Sequence, residues 1–297
     1  MDEFALIERI RAQLGGDAPE WLVLGPGDDG AVVRPPAGQD IASSIDSFLA
    51  DVHFPARADA ELIGYRCLMA SLSDLAAMAA TPAWALVALS LPEGDAGWVT
   101  ALARGMDEAA ADAEARIAGG NLAAGPLTIT VGVQGWAPNG AMLARSGAKP
   151  GDAICLSGPV GGAAAALRQV DLAASRPGHL DALERSYWRP QLPFSLAPEL
   201  RSHASSGIDL SDGLLADLGH VAAASGVALH LASAAIPLAE GVGLDDALSG
   251  GDDYALAFTT AHTPLMASCA VIGEVASGSG LHLDGQRVDE QGFRHFR

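Results

Sequence analysis

The chain has 297 residues, 49% apolar and only 5% aromatic, which suits two folded domains with cores built on Ala, Leu, Val and Ile. It carries 36 Asp and Glu against 17 Lys and Arg, a formal net charge of -19. Such a surface repels nucleic acid and anionic lipid, so neither is expected as a partner. Gly at 35 and Pro at 17 are too few for a disordered or collagen-like chain.

Taken in chain order, "MDEFALIERI" opens an amphipathic helix over residues 2–14, not a signal peptide. "GPGDDG" is a loop, and "AVV" and "DIASSID" are strands. Residues 59–78 form a long helical stretch with a break expected near Ser71. "PAWALVALSLP" is a buried strand, too short to span a bilayer. Residues 95–115 form an Ala-rich helix. "PLTITVGVQGWA" alternates Leu127, Ile129, Val131 and Val133, the period of a strand.

"LARSGAKPGD" (143–152) marks a domain junction, giving domains 1–142 and 143–297. Beyond it, "AICLSGPVGG" is strand then turn, "GGAAAALRQV" starts a helix, and Pro190 stops another at "HLDALERSYWRP". "SGIDLSDG" is strand into loop, 212–225 is helix, "GVALHL" is strand, "SGGDDYALAF" is loop into strand, and "CAVIGEV" is strand. Cys67, Cys155 and Cys269 are odd in number and scattered through apolar stretches. They read as buried thiols in a reducing cytoplasm, not a disulfide framework or zinc site.

Four segments set acids at the ends of elements: "GDDGAVV" (Asp28, Asp29), "SIDSF" (Asp46), "SLSDLAAM" (Asp74) and "DLSDGL" (Asp209, Asp212). Two like charges ~4 Å apart cost roughly 4 kcal/mol at an effective dielectric near 20. Converging acids must therefore be protonated or shared with cations. Mg²⁺ fits, because it takes oxygen ligands and bridges carboxylates to substrate phosphates. Each site alone has a plainer reading: "DDG" as a turn, Ser73 or Asp74 as cap of a helix starting near Leu75, and Ser211 or Asp212 as cap of the next helix. No P-loop, kinase catalytic loop or G-x-S-x-G elbow is present.

"GDDGAVV", "SIDSFLADVHF", "SLSDLAAMAATPAWALVALSLP", "LARSGAKPGD", "IDLSDGLLADLGH", "LSGGDDYALAF" and "GFRHF" follow one another in an order that resembles the thiamine-monophosphate kinase family, over about residues 4–296. That family belongs to the aminoimidazole ribonucleotide synthetase-like superfamily. The resemblance implies a mixed α/β (α+β) two-domain fold, with an N-terminal sheet domain that pairs across a homodimer and a C-terminal α/β domain. It implies the reaction of ATP with thiamine monophosphate to give ADP and thiamine diphosphate, the last step of thiamine diphosphate biosynthesis. It places several Mg²⁺ ions on Asp29, Asp46, Asp74, Asp209 and Asp212, with backbone ligands around Ser44 and Ile45; of these, Asp46, Asp74 and Asp212 are the residues closest to the chemistry. ATP contacts fall on Gly120, Asn121, Arg145 and Ser211, and substrate contacts on His53, Asp252 and Phe293.

The pattern departs from the family at "GGNL", where Asn121 replaces the usual Asp, and at Asp252, which replaces the usual Glu. Ile45 stands where Thr is frequent. Related superfamily enzymes carry a functional Cys near the N-terminus or at the chain end, whereas here the first Cys is Cys67 and the chain ends "FRHFR". The alternatives are a non-catalytic binding homologue, with Asn121 as its mark, or another ATP-dependent enzyme of the same superfamily.

Overall fold

The computed structural model describes residues 3–14, 18–262, 269–289 and 292. Two compact units emerge. One comprises Met1–Leu75, Thr81–Gly140 and Asp171–Leu180, and the other Ala76–Ala80, Ala141–Val170 and Asp181–Arg297.

The first unit opens with α1 (Glu3–Gln13) and a small antiparallel pair, β1 (Leu22–Leu24) and β2 (Val32–Val33). Then come β3 (Gln39–Leu49), α2 (Ala60–Ala77), β4 (Thr81–Leu91), α3 (Ala96–Asp112), β5 (Arg116–Ala124) and β6 (Thr128–Pro138). The four long strands form a sheet in the order β3-β6-β4-β5. The alternation expected in β6 holds: Ile129, Val131 and Val133 are fully buried. In β3, Ala42 and Phe48 point inward and share their face with Ser44 and Asp46. The odd positions Ile41, Ile45 and Leu49 face the other way and are exposed.

Helix α2 is continuous through Ser71, where a break was expected. The hydroxyls of Ser71 and Ser73 bond back to the carbonyls of Cys67 (3.1 Å) and Ala70 (2.8 Å), so neither competes with the helix. Asp74 thus sits inside a helix, and the reading of Ser73 or Asp74 as a cap is excluded. Helix α3 is capped by Asp95, whose carboxylate accepts from the N–H groups of Gly97 and Trp98. Its buried face, Val99, Leu102, Ala103, Met106 and Ala110, follows the helical period.

The second unit contains β7 (Ala153–Leu156), α4 (Gly162–Gln169), α5 (Ala182–Trp188), α6 (Ala197–His203), β8 (Ala204–Asp209), α7 (Leu214–Ser225), β9 (Ala228–Leu231), α8 (Leu244–Ser249) and β10 (Leu256–Thr260). It ends with β11 (Ala270–Ala276), β12 (Gly280–Leu283) and β13 (Gln286–Val288). The seven strands run β13-β12-β9-β11-β7-β10-β8, antiparallel except for β12 beside β9. One core joins Leu214, Leu218 and Val221 of α7 to Ile208, Leu229, Val275 and Leu281 of the strands. A second joins Leu256 and Phe258 to Leu196, Leu200, Ala76 and Ala79. Cys67 and Cys155 are buried free thiols as expected, and Cys269 is only half-buried. No helix among the described residues is long and apolar enough to cross a membrane.

Candidate active site: two acid-bearing loop systems

In the first unit, a cavity of about 1200 Å³ is lined by five of the residues expected at a site: Asp29, Ser44, Ile45, Gly120 and Asn121. They arrive from separate places. Asp29 comes from the loop before β2, where its N–H bonds the Asp28 carboxylate at 2.8 Å. Ser44 and Ile45 come from the middle of β3. Gly120 and Asn121 come from the edge strand β5, in register with Val87 and Ala88 of β4. A Cβ at Gly120 would run into the Val87 carbonyl, so the closeness of these strands requires glycine there. Ile45 and Ser44 are neighbours on a strand and point to opposite faces, so only their backbone serves one side in common.

Asp74 lies against Ser44. The Ser44 hydroxyl donates to Asp74 Oδ2 at 2.5 Å, which ties β3 to α2. Asp46 lies two residues along on the same strand face. His53 lies in the turn after β3 and does not line the cavity. Its Nδ1 accepts the Leu49 N–H at 3.0 Å, so a neutral ring carries its proton on Nε2 and presents a donor there.

In the second unit, β8 ends at Asp209, which is 4% exposed, and the turn Leu210–Gly213 leads into α7. Neither Ser211 nor Asp212 caps that helix. The cap position is Gly213, whose φ of 118° suits glycine, and it makes no side-chain cap bond. Asp217, one turn inside α7, instead accepts from the N–H groups of Asp212 (3.1 Å) and Gly213 (3.2 Å). Burial and then the Asp209 charge push the Asp217 carboxyl up to about 7. Sequence reading missed Asp217 because an acid in an amphipathic helix looks solvated; its four-residue spacing from Gly213 was the available signal.

Asp252 joins this system through the backbone. Its N–H donates to the Ser211 carbonyl at 2.9 Å, and the Tyr254 N–H donates to the Leu210 carbonyl at 2.8 Å. The Tyr254 hydroxyl donates to Asp252 Oδ1 at 3.0 Å. Arg145 is exposed on an irregular segment braced by Ser225 at the end of α7, whose Oγ accepts from the N–H groups of Gly147 and Ala148. Phe293 lies outside the described residues. The expected residues therefore fall into two groups, one on each unit. Among the described residues, no set of three or more His, Cys, Asp or Glu side chains is placed to hold a metal ion by itself.

Asp253, next to Asp252, accepts the Gly161 N–H at 2.7 Å. Burial pushes its carboxyl up to about 7, against the pull of the N–H groups of Gly161, Ala163 and Gly162. In an unfolded chain the group titrates near ~3.9. Between those values the folded chain keeps a proton that the unfolded chain has lost. The group's contribution to stability therefore falls as pH rises from about 4 to about 7 and is flat above. Asp253→Asn removes this dependence. The melting temperature of wild type relative to the variant is expected to drop by a few degrees from about pH 5 to about pH 7. A difference that stays constant with pH contradicts the burial of an ionisable Asp253.

Comparison with known proteins fits this architecture. Residues 27–137 match the family described as AIR synthase related protein, N-terminal domain. A thiamine-monophosphate kinase of Escherichia coli strain K12 is 38% identical over 86% of this chain and 82% of its own length. The crystal structure of thiamine-monophosphate kinase from Stenotrophomonas maltophilia K279a superposes with a TM-score of 0.87 at 37% identity, covering 97% of this chain and 98% of that one. AaThiL complexed with AMPPCP and TMP superposes with a TM-score of 0.80 at 29% identity, over 99% of this chain and 97% of that one. These matches carry the synthetase-like fold that the sequence motifs imply, and at this identity and coverage the chain belongs to the thiamine-monophosphate kinase family.

Proposed function

We propose that the protein transfers the γ-phosphoryl group of ATP directly to thiamine monophosphate, releasing ADP and thiamine diphosphate. The observation that carries this reading is the solved AaThiL complex with AMPPCP and TMP, which matches nearly the whole of this chain. We read its ligands as an ATP analogue and the phosphate acceptor. The acceptor phosphate is already an anionic nucleophile, so the enzyme's task is positioning and charge neutralisation, not proton removal.

The donor set fits Mg²⁺. It consists of hard oxygens, and Asp209, Asp212 and Asp217 crowd one turn closely enough to perturb Asp217. Mg²⁺ needs only one or two carboxylates beside substrate phosphates and water, so the lack of a three-carboxylate cage among the described residues does not conflict with it. The carboxylates of Asp29, Asp46, Asp74, Asp209 and Asp212, with the backbone at Ser44 and Ile45, would hold the ions. Bound there, Mg²⁺ supplies charge neutralisation at the phosphate oxygens.

Gly120 lets nucleotide phosphate approach the backbone, and Arg145 offers a planar cationic fork for it. Asn121 and Ser211 contribute polar contacts to ATP. His53 donates from Nε2 to the acceptor phosphate, and Asp252 meets the amino or cationic part of thiamine, with Phe293 stacking on a ring.

The row Ile45, Gly132 and Leu86 crosses three strands of the first unit's sheet and borders the cavity described above, and Ile45 is 69% exposed. With Ile41 and Leu49 it forms an apolar strip suited to a second copy of this chain, a homodimer. Reduced, mostly buried thiols suit the cytoplasm.

The direct test incubates protein with ATP, Mg²⁺ and thiamine monophosphate and follows both products by chromatography. ADP and thiamine diphosphate are expected in equal amounts, with no ADP when the acceptor is omitted. ATP binding without turnover would instead support a non-catalytic homologue. Asn121 carries no charge where the family has Asp, so one Mg²⁺ contact is weak. Asn121→Asp is expected to lower severalfold the Mg²⁺ concentration for half-maximal rate; an unchanged titration removes Asn121 from the metal environment.

A further inference from the structure

The segment 249–254 is held in an unusual backbone. Gly251, Asp252 and Tyr254 have φ of 71°, 63° and 52°, three left-handed residues in four, and two of them carry side chains. A tyrosine rarely adopts this conformation unless its surroundings impose it. Gly251 packs so tightly on the Ser211–Asp212 backbone that a Cβ would sit 2.6 Å from the Ser211 carbonyl oxygen.

Between the two strained residues stands Asp253, which the mechanism above does not use. Its carboxylate accepts from Gly161 N–H at 2.7 Å and from the N–H groups of Gly162 and Ala163, the first turn of α4. The cap position of α4 is Gly161, which has no side chain to cap with. Asp253 supplies that cap from 92 residues away in sequence. Reversing the argument, the start of α4 fixes Asp253, and Asp253 fixes the chain on either side of it. Asp252 is then locked by three bonds: its own N–H to Ser211, the Tyr254 N–H to Leu210, and the Tyr254 hydroxyl to Asp252 Oδ1.

We propose that Asp253 is a positioning residue for the phosphate acceptor: by anchoring segment 251–254 to the first turn of α4, it holds the Asp252 carboxylate where it recognises the cationic or amino end of the thiamine group. The inference rests on the kinase reading and on Asp252 meeting the acceptor. Asp253 touches no substrate itself. Its loss lets Asp252 and Tyr254 relax out of the left-handed region, which weakens acceptor binding in ground state and transition state alike. Such a loss raises KM and leaves kcat nearly unchanged.

The test uses the full chain as wild type, Asp253→Asn, Asp253→Ala, Asp252→Ala and the double variant Asp252→Ala/Asp253→Asn. KM and kcat are measured for thiamine monophosphate at saturating ATP, and for ATP at saturating acceptor, alongside melting temperatures. Asp253→Asn keeps the shape and one acceptor oxygen, so it carries the test if the alanine variant does not fold. It is expected to raise KM for thiamine monophosphate about tenfold, the worth of a hydrogen bond to a charged group, with kcat and KM for ATP within about threefold. In the Asp252→Ala background the same change is expected to lower the melting temperature as before yet leave the acceptor KM where Asp252→Ala alone put it. An unchanged acceptor KM in Asp253→Asn, or the same rise with and without Asp252, overturns the proposal while leaving the kinase reading intact. Absence of thiamine diphosphate formation by the wild type overturns the kinase reading and this inference with it.

Discussion

Asp212→Asn is expected to lower kcat for thiamine diphosphate formation by about a thousandfold, with the melting temperature unchanged or raised. The two halves of this result come from different side chains. The turn Leu210–Gly213 is held by Asp217, which accepts the Asp212 and Gly213 N–H groups, and by the Leu210 and Ser211 carbonyls bonded to Tyr254 and Asp252. The Asp212 side chain is not what shapes it. Removing its charge relieves repulsion with Asp217, so the fold loses nothing. Phosphoryl transfer, by contrast, depends on charge placed at the transferring oxygens, and asparagine keeps the shape without the charge. Retention of more than about a tenth of kcat contradicts the role given to Asp212.

Gly105→Ala is expected to be the most destabilising single methyl in the first unit. Helices α2 and α3 touch backbone to backbone, with one glycine from each. A Cβ at Gly105 would strike the Glu61 carbonyl and come within 2.9 Å of Tyr65 N, and a Cβ at Gly64 would strike the Leu102 carbonyl. The Tyr65 hydroxyl bond to Asp112 at 2.9 Å and the Arg104–Glu61 ion pair tie the same interface. An added methyl must push the helices apart, at about 3 kcal/mol. That corresponds to a melting temperature lower by roughly 6–12 °C for a chain of this size. Activity falls with it, because α2 carries Asp74 and its bond to Ser44. A shift under about 2 °C shows that the interface yields more easily than its geometry indicates.

Much of this was legible before any coordinates. Strand β6 announced itself by strict alternation, and β8 by "SGIDLSDG", a strand running into an acidic loop. The clustering of Asp29, Ser44, Ile45, Gly120 and Asn121 around one cavity was not legible from spacing, because β5 reaches β4 through a crossover helix and its "GGN" stretch has no strand propensity. The family motifs named those residues where periodicity could not. Ser71 and Ser73 misled in the other direction. Both favour helix ends in isolation, yet inside α2 each satisfies its hydroxyl on the preceding turn.

Asp217 and Asp253 were hidden for a shared reason. Each is an acid whose partners are backbone N–H groups of other residues, and such bonds leave no mark in composition or period. Both lie beside acids the motifs did identify, Asp212 and Asp252, and both are held up by burial. Asp217 and Asp253 shape the backbone of the loops on which Asp212 and Asp252 stand.

The central claim is that metal ions held by these acids let an acidic protein bring ATP and a phosphate monoester together for phosphoryl transfer. The most direct measurement is a single-turnover assay with enzyme in excess over ATP and saturating thiamine monophosphate, quenched in acid and read as the phosphorylated product, thiamine diphosphate from the monophosphate or thiamine monophosphate from thiamine. It is run with Mg²⁺, with excess chelator, and with thiamine replacing the monophosphate. Product is predicted only with Mg²⁺ and the phosphorylated acceptor, and chelator added before ATP abolishes it. Undiminished product in chelator, or equal phosphorylation of thiamine itself, contradicts the account.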